Sequence, residues 1–327
     1  MPWRGARVAA ELVRVHESRD RRELEAAMSD DRAYGAYALA QLDQPLFEGA
    51  RFWFGARTGG ASGLVAHTRG SGRSVMLLGD SLVVHAILAL HPGPRVSYLA
   101  TATPEHLPAL RPTHHAADLL TMSRMQATSA SFRPTLDPPR GDDALPLRRL
   151  HGFDVPALNA LYRSGGGPSH YTPADVQRSL YWGAFEGARL VAVAGTHVVA
   201  PERGVGVVGN VLTHPAHRSR GLASRVTSAV TADLFTRGVS LAVLSVDPEN
   251  APAVRAYRRL GYEHGTAVVE ARLVRRSALG ARAWWRRFRA RCRYATAMAP
   301  ADRSEHVEEW IELPPRERDS AHEGGAA

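Results

Sequence analysis

A chain of 327 residues with 44% apolar content can form two domains of ordinary size, each with its own core. No uninterrupted apolar run approaches the roughly 18–20 residues of a membrane span, and residues 1–14 have neither the apolar block nor the cleavage site of a secretory signal, so a cytoplasmic protein is expected. The net charge of +9 is carried by 41 arginines without a lysine, and it is local: 275–293 holds eight arginines and no acid, which leaves the rest near neutral and argues against nucleic acid as a partner.

In chain order, helices are predicted over Arg19–Met28 and about Ala33–Leu42. Strand-like runs follow at Arg51–Ala56, Gly63–His67, Val75–Gly79 and Val96–Leu99, with Ser81–Leu90 as a helix. Residues 1–133 therefore read as a smaller α/β domain, and no catalytic constellation stands out in it. His114-His115 lacks a third ligand at usable spacing and is expected as exposed loop histidines; no metal is expected. Residues 134–144, rich in Pro, Asp and Arg without periodicity, read as a linker, and the Arg140-Gly141-Asp142 within it as chance.

The alternation sharpens over 145–274. Leu147–Leu150 is a short strand and Phe153–Tyr162 an amphipathic helix, followed by the loop Ser164–Pro168. Thr172 as N-cap, Pro173 at the first position and Asp175 in the first turn open another helix. Three strands, Trp182–Glu186, Leu190–Val199 and Val205–Thr213, are joined by turns at Gly187-Ala188 and Pro201–Gly204. Helix Leu222–Arg237, strand Leu241–Val246, helix Pro252–Leu260 and strand Glu263–Val274 complete an α/β (α+β) mixed sheet with helices on both faces.

Two features carry chemistry. In the segment His214–Ala223, Pro215 stops the strand, Gly221 lets the backbone turn, and the small Ala223 keeps the first helical turn open. The free amides of a helix start form an anion site suited to a pyrophosphate, to which Arg218 and Arg220 add charge. A rival glycine pattern, Gly204–Gly209, matches Gly-x-Gly-x-x-Gly but runs on into strand instead of opening a helix, so it is not read as a dinucleotide loop.

One strand later comes Asn250-x-x-Ala253-x-x-x-Tyr257-x-x-x-Gly261-Tyr262. With Arg218-x-x-Gly221-x-Ala223 this resembles the GNAT superfamily of N-acetyltransferases, the acyl-CoA N-acyltransferase fold, over about 145–274. The resemblance implies acetyl-CoA as donor and an amine as acceptor. It implies that the backbone of Val211, Leu212 and Thr213 pairs with the pantetheine arm, that the amides of Arg218, Ser219, Arg220, Gly221, Leu222 and Ala223 hold the pyrophosphate, and that Asn250 contacts the cofactor arm. Tyr257 would protonate the leaving thiolate, a role suited to a group with an unperturbed pKa of about 10. The bland alternative for Tyr257 is an apolar ring packing one face of its helix, and the two roles are compatible.

The base is open. Many members of the family place a carboxylate on the fourth strand, and Val205–Thr213 has none. Asn210 could only orient a water. Glu186, His197, His170 and Tyr171 are candidates, each with a surface or core role as the alternative. His214-x-x-His217 sits in a turn already given to phosphate and is not read as a metal site. The acceptor would enter beside Gly165–Tyr171, and residues 1–133 are compatible with a second, degenerate copy of the fold that covers the same cleft without a pyrophosphate loop. The lone Cys292 excludes an intrachain disulfide and lies outside the resembling region, so direct attack rather than a ping-pong route is expected. In 279–294, Ala281, Trp285, Phe288 and Cys292 share a helical face among arginines; docking on the protein itself, contact of 275–294 with an anionic surface, and nucleic acid are the readings left open. Disorder is expected after Pro314. The rivals to an enzyme are a CoA-binding regulatory module without turnover and an anionic-surface binding protein acting through Arg275–Arg293.

Overall fold

The computed structural model describes residues 12–69, 73–96, 98–135, 145–165, 167, 169–276 and 309–312. The linker and the basic 279–294 segment thus lie wholly or mostly outside the described residues. The first half runs β1 (Leu12–Ser18), α1 (Arg21–Ala26), α2 (Arg32–Leu39), α3 (Leu46–Gly49), β2 (Arg51–Arg57), β3 (Ser62–Arg69), β4 (Arg73–Gly79), α4 (Ser81–Leu90), β5 (Tyr98–Ala102), α5 (Leu107–Leu110) and β6 (His114–Thr128). The second runs β7 (Leu147–Arg149), α6 (Val155–Gly165), α7 (Pro173–Arg178), β8 (Tyr181–Glu186), β9 (Arg189–Ala200), β10 (Val205–Thr213), α8 (Leu222–Thr236), β11 (Leu241–Val246), α9 (Ala251–Arg259), β12 (Glu263–Arg275) and β13 (Glu309–Glu312). Among the described residues no helix is long and apolar enough to cross a membrane.

Local chemistry sets these boundaries. Asp20, Asp31 and Asp80 cap α1, α2 and α4 by accepting from first-turn amides, and Thr172 caps α7 in a capping box with Asp175. In α8, Leu222, Val226, Val230 and Leu234 recur every fourth residue and bury one face of the helix on the sheet.

The strands form one 13-stranded sheet in the order β13-β1-β2-β3-β4-β5-β12-β6-β11-β10-β9-β8-β7. The two halves are wired alike. In the first, β1 to β4 pair antiparallel in sequence and β5 lies parallel to β4. In the second, β7 to β10 repeat that meander and β11 lies parallel to β10. Each half then sends its last long strand across. β6 of the first half pairs with β11, β12 of the second pairs with β5, and β6 and β12 pair with each other antiparallel at the centre.

The cores are shared in the same way. Leu24, Ala33, Tyr34 and Ala36 from α1 and α2 pack with Val205, Val207, Val243 and Val268 from the other half. Arg203 ties the halves together: its Nε donates to Asp43 at 2.7 Å and its Nη1 to Glu25 at 3.0 Å.

One sequence expectation is corrected. His114 is not an exposed loop residue: it is 1% exposed, opens β6, and its Nε2 lies 2.7 Å from the Tyr98 hydroxyl. Most of β6 is exposed, so its sequence lacks the alternation that marks a half-buried strand.

Because β6 and β12 each complete the opposite half, neither half closes its sheet alone. Residues 1–135 and 145–327 expressed separately are expected to give no cooperative thermal unfolding by circular dichroism, and co-expression is expected to restore it; a sharp melt from either piece alone contradicts the exchange.

Candidate functional site

The site begins where β10 leaves β11. The two strands pair in parallel only from Val205–Val207 to Leu241–Val243. Beyond that, β10 shifts register against β9 between Val207 and Val208 and again between Gly209 and Leu212. Asn210 sits in this irregular stretch at φ 54°, an uncommon conformation for a side-chain-bearing residue. Two tyrosines hold it there: the Tyr162 hydroxyl donates to the Asn210 carbonyl at 2.6 Å, and Asn210 Nδ2 donates to the Tyr181 hydroxyl at 2.9 Å. The amide NH2 is therefore engaged by Tyr181, which limits the water-orienting role considered for it.

The divergence opens a cavity of about 290 Å³. Val211 lines it, whereas Leu212 turns to the opposite face and packs with the α6 cluster against Gly165. Thr213 ends the strand opposite Ala192. At Gly209 the backbone makes room for a neighbour: a Cβ there would lie 2.1 Å from His197 Nε2.

Below the divergence, the loop from β10 to α8 ends with Ser219 at φ 64° and Gly221 at φ 72°. Gly221 occupies the N-cap position and no side chain caps α8, so the first-turn amides are left for another acceptor. Arg218, Ser219 and Arg220 are exposed beside them, while the Leu222 side chain anchors the turn in the core. The same place in the first half is built differently. There α4 follows β4 at once, and the Asp80 carboxylate accepts from Leu82 N at 2.9 Å and Val83 N at 3.0 Å. His106 Nε2 bonds the Gly79 carbonyl at 2.9 Å, linking the β5–α5 connection to the end of β4. A carboxylate occupies the position an anion would need, so the first half repeats the topology without the anion cradle.

On the far side, Asn250 caps α9 by accepting from Ala253 N at 3.2 Å and lines the cavity together with Ala253 and Tyr257. Tyr257 is 8% exposed, and burial pushes its pKa up to about 12, so it stays protonated at neutral pH.

Of the candidate bases, only His197 lines the cavity. His197 is exposed to solvent at its surface, yet the protein packed around its ring lowers its pKa by desolvation first, and the Arg124 charge adds to this. Glu186 instead lies 3.2 Å from His217 Nε2 beside the β10–α8 loop. His170 is exposed and stacks on Tyr171, whose ring packs with Tyr162 and Tyr181 on the other side of the irregular strand.

The sequence reading missed three residues of the cavity wall: Tyr37 on α2, Met122 on β6 and Glu270 on β12. Glu270 pairs with Leu120 and Val268 with Met122, so these four side chains share one face, with Arg124 two residues along it. Arg124 is fully buried; its Nη1 donates to Ser245 Oγ at 2.5 Å and its guanidinium lies 5.4 Å from the Tyr37 ring. Burial raises the Glu270 pKa, and the Arg124 charge opposes that rise. No motif marks these residues, because their meeting depends on the strand exchange.

Gly209→Ala is expected to force the His197 ring from its place and to lower stability by about 1–3 kcal/mol, the usual cost of overpacking, in chemical denaturation. An unchanged midpoint shows that the imidazole moves freely.

Residues 156–262 match the model of the Acetyltransferase (GNAT) family. Among solved structures, the chain resembles an X-ray structure of a Drosophila protein at 14% identity and a TM-score of 0.54, covering 80% of this chain and 98% of that one. It also matches a GCN5-related N-acetyltransferase from Kribbella flavida at 19% identity, TM-score 0.49, over 66% of this chain and 88% of that one. A tandem GNAT protein from the clavulanic acid biosynthesis pathway matches at 14% identity, TM-score 0.48, over 80% and 98%. A comparison with curated proteins found no match. The match to the GNAT acetyltransferase family, over residues 156–262, takes in the diverging strands, the uncapped α8 start and all of α9 with Tyr257.

Proposed function

We propose that the chain is an N-acetyltransferase that transfers the acetyl group of acetyl-CoA to an amine by direct attack. The observation that carries this reading is the cavity between β10 and β11, bordered by Tyr257 and lying on the path between the open α8 start and α9. There, the edge of β10 that no longer pairs with β11 beyond Val207 receives the pantetheine arm along Val211–Thr213 as an added strand. The amides of Arg218 to Ala223 hold the pyrophosphate, and Asn250 contacts the arm from the α9 cap.

The amine nitrogen attacks the thioester carbonyl carbon, the C–S bond breaks, and the Tyr257 hydroxyl gives its proton to the departing sulfur. The amine must first lose a proton, since a free alkylamine has a pKa near 10. His197, whose pKa is lowered, and Glu270 both border the cavity and can take that proton, directly or through water. The regulatory module without turnover rested on the lack of a carboxylate on β10; Glu270 enters the cavity from β12 and weakens that rival. Contact of an anionic surface with 275–294 would be an added property of the basic segment and does not compete with the cavity. A cytoplasmic setting is part of this proposal.

Calorimetry is expected to find one acetyl-CoA bound per chain, because Asp80 fills the corresponding place in the first half; two per chain contradicts that. Tyr257→Phe should lower kcat by about 10²-fold with little change in acetyl-CoA affinity, and undiminished turnover removes Tyr257 from the acid role. The rate should rise with pH as the base and the amine lose protons. It should not fall again below about pH 10, because Tyr257, at about 12, is still protonated there.

A further inference from the structure

The charge on the cavity wall bears on which amines can enter. The chain has 41 arginines and a net charge of +9, yet among the described residues no arginine lines the cavity. Its two ionisable acids are Glu270, half-buried on β12, and Asp247, at the mouth where β11 ends. His197, exposed on β9, is the basic side chain present, and partial desolvation with the Arg124 charge lowers its pKa. The nearest fixed cation, Arg124, lies below the wall: it is fully buried, bonded to Ser245 and partly covered by the Tyr37 ring. Its position favours an ionised Glu270 without offering a surface for an anion.

The remaining wall on that side is apolar or aromatic and comes from the first half, as Tyr37 from α2 and Met122 from β6. The volume of about 290 Å³ is shared between the acyl end of the donor and the acceptor, so the part of the acceptor next to the amine must be compact.

We propose that this cavity selects primary amines that lack a carboxylate beside the amine, with Glu270 receiving the ammonium group and Tyr37 and Met122 packing the apolar body attached to it. The inference rests on the acyl-transfer reading of the cavity and extends it to the class of acceptor. An ammonium group meets a carboxylate in a confined, weakly screened space, which favours it, while an α-carboxylate on the acceptor would face Glu270 or Asp247 there. Arg124 is fully buried, so it presents no surface at which that carboxylate could be neutralised. Aromatic packing on Tyr37 and the adaptable Met122 favours an aryl or short alkyl body.

The test uses a matched pair, phenethylamine and phenylalanine, which differ by the carboxylate. Each is titrated calorimetrically into the full-length protein loaded with CoA. The expected result is phenethylamine binding tighter by on the order of tenfold or more, the scale of one partly buried charge contact. Equal binding, a preference for phenylalanine, or no binding of phenethylamine at millimolar concentration overturns the proposal. Glu270→Gln is expected to abolish most of the preference, and retention of the full preference in a folded variant also overturns the role of Glu270. If the variant fails to fold because Arg124 is left without a counter-charge, the comparison on the native protein still decides. Acetyl-CoA is titrated separately. Its failure to bind sinks the acyl-transfer reading, whereas its binding together with an unfavourable amine ratio sinks only the acceptor assignment.

Discussion

The hydrogen bonds between β11 and β6 are the constraint on which the site depends. A strand in the middle of a sheet must pair on both edges or leave buried amides and carbonyls without partners. β11 is paired along Leu241–Val246 to β6, a strand of the other half, so it stays fixed on that edge when β10 leaves it after Val207. The edge β11 then turns toward the cavity, and the edge β10 presents at Val208–Val211, are the unpaired backbone available to an extended ligand. Without β6, β11 would have no such support, and the divergence would be a defect rather than a cleft.

The same exchange explains why a half whose corresponding helix start is capped by Asp80 still matters. Its Asp80 cap and the His106–Gly79 bond fill the region corresponding to the β10–α8 loop of the second half. Its α2 and β6 nevertheless pack across the second half and bring Tyr37 and Met122 to the cavity. In return, β12 of the second half passes between β5 and β6 and brings Glu270 to the same face. The cavity is thus assembled from four strand or helix contributions beyond β10, β11 and α9, namely α2, β6, β9 and β12, and it is continuous with the core that joins the halves.

The legibility of the sequence followed the range of the interactions. The loop ending at Gly221 and the position of Tyr257 on its helix are set by neighbours within a few residues, and these could be read directly. Strand β10 and its rejected Gly-x-Gly-x-x-Gly pattern were legible for the same reason, since Val205 to Thr213 runs unbroken into Pro215. β6 was not. Leu119 and Leu120 are 54% and 47% exposed, so apolar residues lie outward where the usual alternation would bury them. Glu270, Tyr37 and Met122 were hidden because their approach is fixed by the register of exchanged strands, which no local pattern encodes. The candidate bases Glu186 and His170 were plausible by residue type alone, and their actual neighbours, His217 and Tyr171, lie around the loop and the tyrosine cluster instead.

The most direct measurement is a crystal structure of the full chain with acetyl-CoA. The account predicts a single molecule whose pyrophosphate meets the amides from Arg218 to Ala223 and whose thioester lies in the cavity between β10 and β11, within reach of Tyr257 on one side and of Glu270 and His197 on the other. Acetyl-CoA bound in the first half against Asp80, or bound with its thioester outside this cavity, would contradict it.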